Sequence, residues 1–411
     1  MKPQTLLTCL WKNFGSAPHR MMFLGGVIQL LFATTWWFYD LIARYTGWFP
    51  FQPPLVSPPA VHAYFMIYGF MPFFMFGFLF TAGPRWLNTP APARNRYIPV
   101  FLFMMTGSII MDLGVVVSMT LLITGAILYV CGWISGLMVT FSFMYHNVQA
   151  DRRHLLPIAL SLGFGLSGAL SWLLWLKTGN PDLFDYSRIA GIWLFLLPVF
   201  MTVSHRMIPF FSRSVSGPEE TVWRPFQLLW LILTGLFLHA LLEWYRLPAL
   251  LWPDDLVLAV TGLYMTWRWN FFRSFQVRLL AMLHIGFAWF GLGMLLFTFQ
   301  DLVWLVRPEQ ALVFGWAPLH ALTMGFFLST LFAMVTRVSL GHGGRPLMAS
   351  RLVWQLFILY QAAVLIRIMA DIIPDSPTGD FYCVSAAIAL LCFIGWSILL
   401  IPLYFQHLDN G

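Results

Sequence analysis

The stretch PPAVHAYFMIYGFMPFFMFGFLF, residues 58–80, decides the fold. It carries no Asp, Glu, Lys or Arg and is long enough to cross a bilayer, yet His62 sits near its first turn. An imidazole in that position costs free energy unless something pairs with it. Working outward, the rest of the chain has the same character. Of 411 residues, 59% are hydrophobic and only 9% charged, and mean hydropathy is +0.76. Too few charges are present to coat a soluble surface, so the chain reads as a polytopic all-α membrane protein. The net charge of +7 reports loop topology rather than nucleic acid, for which no binding motif is present. Cys9, Cys131, Cys383 and Cys392 form neither a CxxC pair nor a CxxCH haem-attachment motif. The N-terminus lacks a short apolar core with a small-residue cleavage site and reads as retained.

Twelve apolar runs can be marked, at 20–44, 60–83, 97–112, 114–146, 155–176, 187–208, 223–245, 249–271, 279–300, 311–336, 350–370 and 381–405. The third and fourth are divided only at Asp112-Leu113-Gly114. Arginine and lysine support that division, because both flanking loops are basic and an even number of spans must separate them. With twelve spans, one side carries Lys2, Lys12, Arg20, Arg85, Arg94, Arg96, Arg152, Arg153, Arg206, Arg213, Arg224, Arg268, Arg273, Arg278, Arg337, Arg345 and Arg351. The other carries Arg44, Lys177, Arg188, Arg246, Arg307 and Arg367. Seventeen against six predicts both termini in the cytoplasm. The expected organisation is a cytoplasmic segment 1–19, one twelve-helix domain 20–405 and a tail 406–411.

Depth then sorts the histidines. His62, His239 and His320 fall on the outer side; His19, His146, His154, His205, His284, His342 and His407 fall on the cytoplasmic side. Intramembrane ionisable groups usually face the bundle interior and mark function. His62 and His320 are alike locally: Pro59 precedes one by three residues and Pro318 precedes the other by two, each at a helix start. Two neutral imidazoles from facing helices supply both axial positions of a haem iron, and Arg367 is the best-placed cation for a propionate. The plainer reading, in which each imidazole bonds a backbone carbonyl or water, stands beside it. His239 and Glu243 lie four apart on one helical face, as an outer metal or proton site or a simple hydrogen-bonded pair. His19, His205, His284 and His342 are candidates to converge as copper ligands, against headgroup contact and loop hydrogen bonding. HExxH, GxSxG and phosphate-loop motifs are absent, which removes support for hydrolases and nucleotide-driven pumps.

The stretches HRMMFLGG (19–26), HAYFMIYGFMPFFMFGFLFTAGPRW (62–86), RMIPFFSRS (206–214), LHIGFAW (283–289) and LHALTMGFFLSTLFAMVTRVSLGHGGRPL (319–347) resemble the NnrS family of bacterial membrane proteins. The resemblance implies haem b and copper, a bacterial inner-membrane location, and a role tied to nitric oxide or haem- and iron-bound NO in nitrosative stress. One departure stands out. The family commonly has His-Ala-His-Glu-Met where this chain has His62-Ala63-Tyr64-Phe65-Met66, so a metal ligand or proton-handling group expected there is missing. A more distant likeness is to the haem–copper oxidase and nitric oxide reductase bundle, with histidines on spans two and ten. Here Pro318 replaces the reactive-haem ligand of that bundle, and the twin histidines expected after span seven are lacking. RIMADIIPD (367–375) is similar to its propionate-binding stretch. The expectation is one haem between His62 and His320 in a protein of the nitric oxide response. Two alternatives remain: a quinol-linked redox enzyme with a second, copper centre, and a transporter or haem-handling protein using the histidines as a relay. Whether the chain catalyses a reaction is left open.

Overall fold

Among the described residues, twelve long helices build the bundle. In the computed structural model, residues 11, 13–49, 55–146, 150–216, 223–310, 312–374 and 376–406 are described. The sequence readings at Lys2, Cys9, Lys12, Asp375, His407 and Gly411 lie outside them. The helices are α1 (Pro18–Tyr45), α2 (Pro58–Leu87), α3 (Arg94–Val117), α4 (Met119–His146), α5 (Leu155–Thr178) and α6 (Pro181–Arg213). They continue with α7 (Phe226–Trp244), α8 (Leu251–Arg268), α9 (Arg278–Val306), α10 (Ala317–His342), α11 (Arg351–Ile372) and α12 (Thr378–Phe405). No strand occurs among the described residues.

Eleven of the twelve are long and apolar enough to cross a membrane. The exception is α8, which carries Asp254, Asp255 and Arg268 within its 18 residues. It nevertheless packs along α7 and α9 as an integral helix of the bundle. Outward-facing positions such as Val116, Met138, Leu160, Val260, Leu391 and Ile398 are apolar. That is the surface a lipid solvent demands, since backbone polar groups are already satisfied within each helix.

The division between α3 and α4 falls at Ser118, not at Asp112-Leu113-Gly114 as the sequence reading had it. Ser118 is extended, with φ −165° and ψ 145°, and its Oγ accepts the Leu121 N–H at 3.2 Å. Asp112 and Gly114 look like loop residues but serve inside the helix. Asp112 accepts a hydrogen bond from Gln29 Nε2 of α1 at 2.9 Å. Gly114 belongs to a seam in which Gly107 and Gly114 of α3 face the backbone of α4, while Gly125 and Gly132 of α4 face α3. Both pairs are seven residues apart. A Cβ on Gly125 would lie 2.5 Å from Met111 N and 2.6 Å from Gly107 O. Only glycine permits that approach, the small-residue packing typical of membrane helices.

The first and last helices, α1 and α12, pack on each other and close the bundle. Three helices are most enclosed: α2, α6 and α10, whose apolar windows are 78%, 83% and 78% buried. They recur every fourth helix, and each contains a π-helical segment: Phe65–Gly69, Ala190–Leu196 and Ala321–Leu328. π segments are rare and concentrate at functional sites. Between these helices, with α1 and α5, lies an apolar cleft enclosing about 590 Å³ of space, open surroundings included. Phe74, Phe200, Thr330 and Met334 are among its walls.

Candidate functional site

The first two π segments to consider begin just after the predicted haem histidines. Pro58 and Pro59 start α2, and Phe65–Gly69 begins three residues after His62. Pro318 lies in the first turn of α10, and Ala321–Leu328 begins directly after His320. Both histidines therefore sit at the same end of the bundle, one turn or less before a π segment.

The His62 ring stacks on Trp37 of α1, with centroids 3.9 Å apart and planes 17° apart. Its Nδ1 is buried and has no hydrogen-bond partner. His320 Nδ1 donates to Trp316 O at 2.9 Å. A carbonyl only accepts, so the proton is on Nδ1 and Nε2 holds the lone pair, the arrangement of an iron- or metal-binding imidazole. The two histidines are close enough to interact electrostatically, and Arg367 of α11 acts on both. Arg367 Nη1 is 2.8 Å from Asp371 Oδ2, and its guanidinium lies 4.1 Å over the Tyr382 ring. Asp371 also accepts the Trp316 N–H at 2.9 Å and the Tyr382 hydroxyl, so it ties α10, α11 and α12 together here. Arg44 is a second cation within reach of His62. It pairs with Asp40 and stacks over Trp37 at 5.5 Å. The sequence reading placed Arg44 on this side but did not connect it to His62.

At the family's departure, the Tyr64 ring stacks on Trp172 with centroids 3.9 Å apart. Tyr64 Oη and Trp172 Nε1 are both buried without a partner. Phe65 is buried against Phe32 and Trp36. Aromatic packing thus occupies the place where ligating or proton-handling groups were expected.

His239 and Glu243 do not form a simple pair, since Nε2 and Oε2 are 3.8 Å apart, beyond hydrogen-bond length. Each has another partner. Glu243 takes Arg188 Nη1 at 2.6 Å. His239 Nδ1 donates to Asp255 Oδ1 at 2.6 Å, and Trp193, from the π segment of α6, stacks on its ring at 3.5 Å. One donor atom each from His239, Asp254 and Asp255 lies within 4.8 Å of the other two. The aspartates escaped the sequence reading, although two adjacent carboxylates in an apolar run are a signal in themselves.

At the opposite end, His19, His205, His284 and His342 are not gathered into one ligand set; among the described residues only the His239 group brings three donors so close. His205 Nε2 donates to Pro225 O at 3.2 Å. Its Nδ1 must then accept from His154 Nε2, 3.1 Å away, and Arg206 Nη1 lies 3.4 Å from His154 Nδ1. That chain uses the lone pairs of both imidazoles. Burial, reinforced by His205, Arg206 and Arg224, pushes the His154 pKa down to about 3, so the ring is neutral at physiological pH. His284 Nε2 is bonded to Ser212 Oγ at 3.0 Å.

His19 and His342 behave differently. Their ring centroids are 4.6 Å apart. Thr81 Oγ1 donates to Gly77 O at 2.8 Å and lies 3.4 Å from His19 Nδ1, which fixes the His19 proton on Nδ1. His342 Nδ1 donates to Val338 O at 3.0 Å, and its Nε2 is buried without a partner. Of the four histidines, these are the two whose rings meet, and the His342 Nε2 lone pair is unused by the protein.

No curated protein matches the chain. The family model described as NnrS protein matches residues 13–407, nearly its whole length. With its membrane-helical bundle, the chain belongs to the NnrS family.

Proposed function

We propose that this protein is a bacterial inner-membrane haem protein of the nitric oxide response, holding one haem b between His62 and His320. The observation that carries the reading is the repeated construction at these two positions. Each histidine follows a proline helix start and precedes a π segment, and each has a ring nitrogen that no protein group satisfies or that its tautomer leaves with a lone pair. The residues present fit the group. His62 and His320 would supply nitrogen ligands, Trp37 holds the first ring, Trp316 O holds the second, and Arg367 and Arg44 supply positive charge for two carboxylates. A haem there supplies an iron that exchanges one electron with a quinol or a redox partner and has affinity for nitric oxide. The protein contributes orientation, a neutral tautomer and an apolar surround reached from lipid, in which a small uncharged gas dissolves readily.

Copper, the second metal of the family reading, is best served by His19 and His342, whose rings lie 4.6 Å apart; imidazole suits that ion. The excess of arginine and lysine on alternate loops supports an orientation with this pair toward the cytoplasm and the haem toward the periplasm.

The decisive measurement is the visible spectrum of purified wild type, His62→Ala and His320→Ala. Both variants should lose haem or shift from a six-coordinate to a five-coordinate spectrum. Full haem content with an unaltered Soret band in both would end the ligand assignment.

A further inference from the structure

We propose that the crossing of α7, α8 and α9 holds a divalent-metal site, with His239, Asp254 and Asp255 as ligands and Asp301 completing its acidic wall. This site is independent of the haem reading and of the His19–His342 pair.

Charge is the first argument. Glu243, Asp254, Asp255 and Asp301 act on one another and on His239, while Arg188 is the cation bonded to the group, through Glu243. Arg188 neutralises Glu243 and His239 is bonded to Asp255. Among the described residues Asp254 and Asp301 are thus left without a bonded cation in apolar surroundings, where a proton or a metal ion must balance them. Donor geometry is the second. Atoms bound to one Zn²⁺ or Mn²⁺ ion at about 2.0–2.2 Å lie about 3–4 Å from one another. The three residues already meet within 4.8 Å, so binding asks about 1 Å of closure, supplied by the aspartate side chains.

The third argument comes from atoms without partners. Asp255 is fully buried; its Oδ2 and Asp254 Oδ2 receive no donor from the protein, and Asp301 is within hydrogen-bonding reach of Asp255 when a proton is shared between them. Asp255 Oδ1 meanwhile takes the Nδ1 proton of His239, while Nε2 faces Glu243. Nδ1 is thus the nitrogen that faces the aspartates, and a metal would bind there in exchange for its proton. Local packing fits too. Gly235, one turn before His239 on α7, is where Asp254 approaches: a Cβ there would meet Asp254 Oδ1 at 3.1 Å and Leu258 Cδ2 at 2.8 Å. Trp193 and Phe297 flank the imidazole at 3.5 and 6.1 Å, which limits its rotation. One imidazole with several carboxylates is a donor set for Zn²⁺ or Mn²⁺.

The test uses full-length protein in detergent, stripped with EDTA and equilibrated with Zn²⁺ or Mn²⁺, with bound metal counted by mass spectrometry. Wild type should take up one equivalent at this site. Asp255→Asn and His239→Ala should bind at least ~10-fold more weakly, with haem content unchanged. His342→Ala should retain the equivalent. Uptake of neither ion by wild type would overturn the proposal, as would wild-type affinity in both variants. Loss in His342→Ala with retention in Asp255→Asn would move the metal to the other end and also overturn it. If Asp255→Asn is not recovered folded, the less buried Asp254→Asn replaces it, and unchanged affinity there counts against the site.

Discussion

Replacing Gly125 by alanine probes the glycine seam between α3 and α4. Its new methyl would fall 2.5 Å from Met111 N and 2.6 Å from Gly107 O, about 1 Å inside ordinary contact. Both atoms are backbone, so no rotamer change relieves the overlap, and α3 and α4 must separate by about that amount. A gap of 0.5–1 Å forfeits a quarter to a half of each dispersion contact. Over a few dozen atom pairs worth ~0.1–0.2 kcal/mol each, the loss is about 1–3 kcal/mol, within the range for overpacked interiors. Alanine gains up to ~1 kcal/mol of helix propensity over glycine, so a control is needed. Gly163 of α5 provides one, because a Cβ there meets nothing within 4 Å. Thermal unfolding followed by tryptophan fluorescence in detergent should place Gly163→Ala at or above wild type and Gly125→Ala ~2–6 °C below it. If Gly125→Ala melts as high as Gly163→Ala, the seam does not govern α3–α4 packing.

Tyr64→Phe removes a buried hydroxyl that has no partner. It should leave the haem spectrum unchanged and raise stability by about 1 kcal/mol, up to ~3, the cost of an unsatisfied buried polar group; a lower melting temperature would mean that the hydroxyl is satisfied in the folded protein. His154 carries a pH prediction. Its folded pKa of about 3 lies below the ordinary 6.5, so the folded state favours the neutral ring. This contribution is whole above pH 6.5 and is lost as pH falls from about 6.5 toward 3. The ceiling is ~1.4 kcal/mol per pH unit, reduced by screening at the loop. Melting temperature should drop between pH 7 and pH 5 in wild type and drop less in His154→Gln; equal slopes would refute the assignment.

Much of the fold was legible because a bilayer imposes a simple length rule on apolar runs. All twelve runs became helices near their marked limits. The misplaced α3–α4 division shows where that logic stops. Asp and Gly signal loops in water, but in a bundle an aspartate can pair with Gln29 and a glycine can admit a neighbouring backbone. At the site, the echo between His62 and His320 was readable from proline spacing. The π segments beside them were not, because an extra residue in a helical turn leaves no compositional mark. His239 was found, but its partners were not: Asp255 is 16 residues away on another helix. Adjacent acids in an apolar segment were the available signal. The four histidines offered as candidate copper ligands were grouped by depth alone. Depth does not say which imidazoles share a helix interface, and only the pairing of α1 with α10 decides that His19 meets His342.

The π segment of α10 also has a consequence for how this sequence can change. A π turn contains one residue more than the α turn it replaces. Deleting one residue within Ala321–Leu328 would let regular winding resume with the turns on either side still facing as they do, because the wide turn already absorbs the extra residue. His320 would stay beside Trp316 and His342 beside His19. The same deletion in the regular α-helix Ser329–His342 would instead swing everything beyond it by about 100° and carry His342 away from His19 without mutating it. In a descendant of this gene, the π segment is therefore where one codon can be lost at least cost to the alignment of the two histidines.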